Sequence, residues 1–226
     1  MFYLSLDVEA SGPFPGLYSL VSLGAVPVRQ RKPKPRKAKT AEEREWIVDE
    51  EHTFYVELKP LPGADEMPAA TEVHGLTAEY LGAEGLDPVL AMQQWRTYLN
   101  RLRPLFGKFM AAASPASFDI PYAGYYSQRF LGENPLGYNA LDIASLAQGI
   151  LLCPRVELRA RLEKAGLSRP SGPYPHNALQ DSIRQGSQLA DLLNLGESNR
   201  ANGRAEKGKH PERPLPSPSR GKPPES

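Results

Sequence analysis

Apolar and polar positions along the chain recur with two different periods, and the switches between them outline a mixed α/β protein. Residues 2–6 (Phe-Tyr-Leu-Ser-Leu) form a mostly apolar run that leads into Asp7, and residues 17–28 are rich in Val, Leu and Tyr. Both read as strands. Residues 53–58 place Phe54, Val56 and Leu58 on one face, the period of two that marks a half-buried strand. A longer rhythm begins at Pro88, where Val89, Leu90, Trp95, Leu99, Leu102 and Phe106 recur at helical spacing over 88–106. Beyond it the pattern predicts a short strand at 109–113, a helix at 122–131 and a brief strand at Leu141-Asp142-Ile143. Helices follow at 145–152, 156–165 and 175–193, the last with Ile183, Leu189, Leu192 and Leu193 on its apolar side. Strands in succession, then strands alternating with helices, predict an α/β fold: a mixed five-stranded sheet with helices on both faces.

Two stretches interrupt this pattern. Residues 29–51 alternate Lys with Pro and then turn acidic, with only Trp46-Ile47-Val48 apolar, and residues 196–226 are rich in Pro, Ser, Gly and basic side chains. Neither can bury enough surface to offset the entropy of ordering it. The expected organisation is one folded domain over 1–195 with a disordered insertion at about 29–51, followed by a disordered tail over 196–226. Charge sharpens the picture. The formal net charge is only +1, yet residues 29–39 hold seven Lys/Arg and no acid, and residues 197–226 hold seven more against four acids. Basic arms on an acidic body suit a polyanionic partner, because Lys/Arg at phosphates release counterions; the same composition also describes solvated ends. The single cysteine, Cys153, excludes an internal disulfide and favours a reducing compartment. No apolar run approaches the roughly 18–20 residues of a membrane span, and no basic segment precedes the first apolar run as in a signal peptide. A cytoplasmic protein with no membrane partner is the expectation.

The candidate chemistry lies at the ends of these elements. Asp7 and Glu9 form an i, i+2 pair on extended chain, which points both carboxylates to one face. Mutual repulsion becomes attraction when a hard divalent cation such as Mg²⁺ or Mn²⁺ lies between them. Asp49 and Glu51 repeat the spacing inside the polar insertion, where no apolar strand runs into them, and read as a solvated pair. Asp119 sits near the start of a helix, a position that also simply suits the macrodipole. His176 follows Pro175 at the mouth of the last helix, with Asp181 about one turn inside. Asp142 reads as a helix cap or hydrogen-bond acceptor, and Cys153, between Leu152 and Pro154, as buried packing.

Taken together, Asp7, Glu9, Asp119, His176 and Asp181 resemble, in order and type, the DEDDh group of 3′→5′ exonucleases, the DnaQ-like family with a ribonuclease H-like fold. Ser11-Gly12 after the first motif, Val73-His74-Gly75-Leu76-Thr77 and Leu141-Asp142-Ile143 are similar to further segments of that family. The resemblance spans about residues 1–195 outside the basic insertion. Ser114-Pro115 departs from the His-Asn often found before the second-motif aspartate, and Ala10 stands where threonine is common.

The resemblance implies a metal-dependent 3′→5′ exonuclease that hydrolyses phosphodiesters at the 3′ end of single-stranded or frayed DNA or RNA. It implies two ions, Mg²⁺ or Mn²⁺, roughly 3.5–4 Å apart. Asp7 would bridge them, Glu9 and Asp181 would complete one, and Asp119 would support the other through water. His176 would accept a proton from the attacking water around neutral pH. Ser11, Gly12, His74, Leu17 and Tyr122 are the candidate substrate-binding residues, with Tyr18 and Tyr126 as further platforms for a base. A polymerase or another protein is a candidate partner of the basic tail. The alternative is a catalytically idle adaptor on the same fold.

Overall fold

The computed structural model describes residues 1–31, 45–168 and 176–207, with side chains described through residue 201. Its centre is a six-stranded mixed sheet. Strand β1 (Phe2–Ala10) runs antiparallel to β2 (Leu20–Gln30), with Asp7 opposite Gly24 and Glu9 opposite Ser22. On its other edge β1 pairs in parallel with β5 (Phe109–Ala113), which in turn pairs in parallel with β6 (Ala140–Asp142). The outer edge of β2 is shared end to end by β3 (Trp46–Val48) and β4 (Phe54–Glu57).

Alternation along β1 divides the core. Leu4, Leu6 and Val8 pack beneath α3 (Pro88–Phe106) and α4 (Ala116–Leu131), against Trp95, Leu99, Tyr122 and Tyr126. On the opposite face, Val28, Ala112, Ile143, Leu189 and Leu192 form a second cluster under α5 (Ile143–Leu151), α6 (Leu158–Lys164) and α7 (Ala178–Lys207). Two short helices, α1 (Pro68–His74) and α2 (Ala78–Glu84), connect β4 to α3. Helix α7 lies close on the sheet because two glycines remove side chains at the crossing. A Cβ on Gly24 would fall 2.3 Å from the backbone of Ala178, and one on Gly186 would fall 3.2 Å from Val28. Ser5 Oγ fastens the contact by donating to Ser182 O at 2.8 Å.

Several expectations need correction. The sheet has a sixth strand, and it comes from the stretch read as a disordered insertion. Trp46-Ile47-Val48 extends the edge of β2, and the main chain of Trp46 exchanges hydrogen bonds with the Asn194 side chain of α7 at 2.8 and 3.0 Å. Asp49 is buried and pairs with Arg29 at 2.5 Å, so it is not a solvated acid. Residues 32–44, the heart of the basic insertion, lie outside the described residues. Strand β1 does not stop at Asp7 but carries both acids within it. Helix α4 begins at Ala116, ahead of the expected start; Pro121 inside it lacks an N–H and disguises the helical pattern. Helix α7 continues through Lys207, into the stretch expected to be a tail, and Glu197 there accepts from Trp46 Nε1 at 2.9 Å. The rest of that tail, 208–226, lies outside the described residues. No helix among the described residues is long and apolar enough to cross a membrane.

Candidate active site

Three elements converge at the α7 side of β1. The strand supplies Asp7 and Glu9, whose shared direction follows from the two-residue period. The ladder between β1 and β5 ends at Ser5 opposite Ala112, so the next stretch of that β1 edge is free. Asp119 uses it: the N–H of Val8 donates to Asp119 Oδ1 at 3.0 Å, which fixes the start of α4 against the strand. Asp142 holds the same helix from the other side. It accepts from the N–H of Ala116 at 3.0 Å and of Ser145 at 2.7 Å, and so caps α4 and α5 as expected. Partly buried as Asp142 is, those hydrogen bonds keep its carboxyl below the usual range.

The third element is the start of α7. The side chain of Asn177 accepts from the N–H groups of Leu179 and Gln180, both at 3.1 Å, and caps the helix. His176 just before it is tethered by its N–H to Val73 O at 2.8 Å, at the end of α1. Asp181 then projects one turn inside the helix. Ligand atoms of Glu9, His176 and Asp181 all lie within 4.8 Å of one another, and His176 Nδ1 is 3.9 Å from Asp181 Oδ2.

Each of the four acids lies within electrostatic reach of the other three. Burial drives the carboxyl of Asp7 well above its ordinary range, and Asp119, Glu9 and Asp181 push it further. Burial, then Asp181 and Asp119, raises Glu9 to about 8. Burial and Asp181 raise Asp119 to about 7, against the hydrogen bond from Val8 that lowers it. Two side chains of α7 answer this negative charge: Gln185 Nε2 donates to Asp7 Oδ1 at 2.5 Å, and the Arg184 guanidinium donates to Asp181 Oδ1. Asp181 Oδ2 remains buried without a hydrogen-bond partner. A crowd of carboxylate oxygens under mutual repulsion, one of them buried and unpartnered, fits a hard divalent cation.

The expected substrate-binding residues divide. Leu17 is 63% exposed on the loop after β1. Tyr122 is fully buried, and its hydroxyl donates to Gly12 O at 2.6 Å, so it cannot stack on a base. Tyr126 is equally buried, its oxygen accepting from the N–H of Leu20. The Ser11 hydroxyl is committed within the loop, donating to Asp65 O at 2.8 Å and accepting from the N–H of Ser19 at 2.9 Å. Gly12 is needed for space, since a Cβ there would overlap the Tyr18 ring. His74 is buried; its Nδ1 accepts from the N–H of Leu76 at 3.0 Å, and burial lowers its pKa.

Sequence reasoning missed Phe14, 66% exposed between two prolines on the same loop as Leu17. Its Pro-Phe-Pro-Gly setting already barred it from a strand interior. Arg184 and Gln185 were also missed. Their spacing of three and four residues from Asp181 puts them on its side of the helix.

No family model matches the chain. A mixed sheet with four acids and a histidine at the mouth of its last helix is the frame of a DEDDh nuclease, and comparison with known proteins agrees. The chain is 34% identical over 195 residues to the 3′-5′ DNA exonuclease Cap18 of Escherichia coli, covering 86% of this chain and 93% of that protein. The chain therefore belongs to the DnaQ-like DEDDh 3′→5′ exonucleases, hydrolases that act on nucleic acid. Its fold resembles the nuclease domain of 3′hExo, a DEDDh family member solved with rAMP (TM-score 0.57, 13% identity, 88% of this chain and 92% of that one). It also resembles the zinc-bound form of E. coli ExoI in complex with single-stranded DNA (TM-score 0.56, 14% identity, 92% of this chain and 43% of that one).

Proposed function

We propose that this exonuclease removes nucleotides stepwise from the 3′ ends of single-stranded or frayed DNA, with Asp7, Glu9, Asp119 and Asp181 holding two divalent ions, Mg²⁺ or Mn²⁺. The convergence of these four carboxylates around the buried Asp181 Oδ2 carries the reading. DNA is favoured over RNA by the 34% identity to a DNA exonuclease. When bound, the ions supply Lewis-acid activation of water and neutralise charge at the phosphate.

The chain's own residues do the rest. Val8 and Asp119 lock α4 to β1, so the carboxylates keep their spacing when a substrate enters. His176, with 21% of its side chain exposed and its Nδ1 directed toward Asp181, accepts a proton from the attacking water. Phe14 and Leu17 project from the loop directly after β1 and offer an apolar platform for the terminal base, a contact worth about 1–3 kcal/mol per base in comparable sites. That contact requires an unpaired end. Residues 29–39 and the basic tail would add sequence-independent phosphate contacts or tether a partner protein such as a polymerase. An idle adaptor would have no use for buried acids held in mutual repulsion.

End-labelled single-stranded DNA and RNA incubated with Mg²⁺, Mn²⁺ or EDTA test this reading. Stepwise shortening from the 3′ end, faster on DNA and abolished by EDTA, is expected. Cleavage from the 5′ end, or hydrolysis that survives EDTA, would contradict it.

A further inference from the structure

Arg184 and Gln185 are adjacent on α7 and each takes one acid of the site, but the two contacts differ in kind. Gln185 is neutral: its Nε2 donates to one oxygen of Asp7, and that bond can persist while the other oxygen faces a cation. Arg184 is an ion pair with Asp181, a charge-assisted contact from one guanidinium nitrogen to Asp181 Oδ1. A divalent ion at the same carboxylate would sit within a few ångströms of the guanidinium, and like charges at that range repel strongly in a partly buried setting. The guanidinium has somewhere to go. The Arg184 side chain is 28% exposed, against 13% for Asp181, so it reaches water without any change in the helix.

We propose that Arg184 is a displaceable counter-ion: it neutralises Asp181 in the metal-free protein and must leave that carboxylate before a divalent cation takes it, so that it raises the metal concentration at which the site fills. The inference rests on the reading of Asp181 as a metal ligand. It assigns Arg184 a positioning role, with no contact to the reacting atoms. It also explains how four crowded acids are tolerated before metal arrives, since one of them carries its own cation.

The test is Mn²⁺ affinity of the full chain without nucleic acid, by calorimetry or electron paramagnetic resonance, with the melting temperature of the metal-free protein in parallel. Arg184→Gln is expected to bind Mn²⁺ roughly five- to tenfold more tightly, the scale of one partly buried ion pair, while its metal-free form melts lower. Arg184→Lys, which keeps the charge on a shorter, more strongly hydrated head group, should fall between that variant and the wild type. A merely structural arginine would lower the melting temperature without tightening metal binding, and unchanged or weaker Mn²⁺ affinity in Arg184→Gln overturns the proposal. Absence of Mn²⁺ binding in the wild type itself would remove the metal reading of the site, and this inference with it. Should the Gln variant fail to fold, the Nε–H resonance of Arg184 in the labelled wild-type protein provides a second readout. It should shift as Mg²⁺ is added, and a resonance indifferent to saturating Mg²⁺ overturns the proposal as well.

Discussion

Two places in this molecule carry an acid pair at i, i+2 with a histidine close by, and their electrostatics run in opposite directions. At Asp49, Glu51 and His52 the ligand atoms lie within 4.8 Å of one another, as they do at Glu9, His176 and Asp181. Asp49 is buried, yet hydrogen bonds from Arg29 and His52 hold its carboxyl below the ordinary range. Glu9 and Asp119 are also buried and Asp7 is half-buried; burial drives all three upward, and neighbouring acids push in the same direction where Asp49 has cations. One cluster is neutralised by the protein itself; the other leaves most of its charge for something to be bound. Ligand spacing alone does not define a metal site. What separates the two is whether the fold supplies the counter-charge.

Deleting one acid from each cluster should separate the two most widely. Asp7→Ala should abolish exonuclease activity, a loss on the order of 10³-fold or more, as the proposed role in holding the ions of a phosphoryl-transfer site requires. Asp49→Asn should leave turnover within a few-fold and instead destabilise the protein by about 1–3 kcal/mol in a denaturant titration, because Arg29 loses its buried partner. Retained metal-dependent hydrolysis in Asp7→Ala, or loss of turnover in Asp49→Asn, would invert the assignment.

His176→Ala comes next in size. Loss of a general base costs about 10²–10⁴-fold in turnover, while Mn²⁺ binding by the same variant should persist through the carboxylates. Near-native turnover would remove the proton-accepting role.

The smallest effect is a pH dependence whose sign differs between the clusters. Glu9 and Asp119 have folded values raised to about 8 and about 7, so the folded state binds protons that the unfolded chain releases. Their contribution to stability is complete below the ordinary carboxylate range and is lost as pH rises through those values. In EDTA the melting temperature should therefore carry a falling component toward pH 8, which Mn²⁺ removes. The metal-induced rise in melting temperature should grow with pH. Asp49 has the opposite sign: its contribution is present above the unfolded carboxylate value and is lost as acid protonates it, with or without metal. A metal-induced rise that does not change between pH 5 and pH 8 would contradict the account.

Much of this was legible in the sequence where the apolar pattern is continuous or strictly periodic. Helix α3 lies where its apolar period placed it, because it turns one face to the core, and strand β5 lies where an unbroken apolar run placed it, because Ala111 and Ala112 are buried on opposite faces of the sheet. Asp7, Glu9, Asp119 and Asp181 could be proposed only as an ordered set, since each motif alone carries a weak signal. What escaped depends on partners distant in the chain. Trp46-Ile47-Val48 has too little apolar surface to form a strand alone and does so because β2 and Asn194 of α7 receive it. Tyr122 looks like a stacking residue until Gly12 takes its hydroxyl. Asp49 looks solvated until Arg29, 20 residues earlier, folds back over it.

Crystals soaked in Mn²⁺ and measured for anomalous scattering compare the two clusters in one map. The account predicts strong peaks among Asp7, Glu9, Asp119 and Asp181, with Arg184 turned away from Asp181, and no peak at Asp49, Glu51 and His52. A peak at the second cluster with none at the first would contradict it.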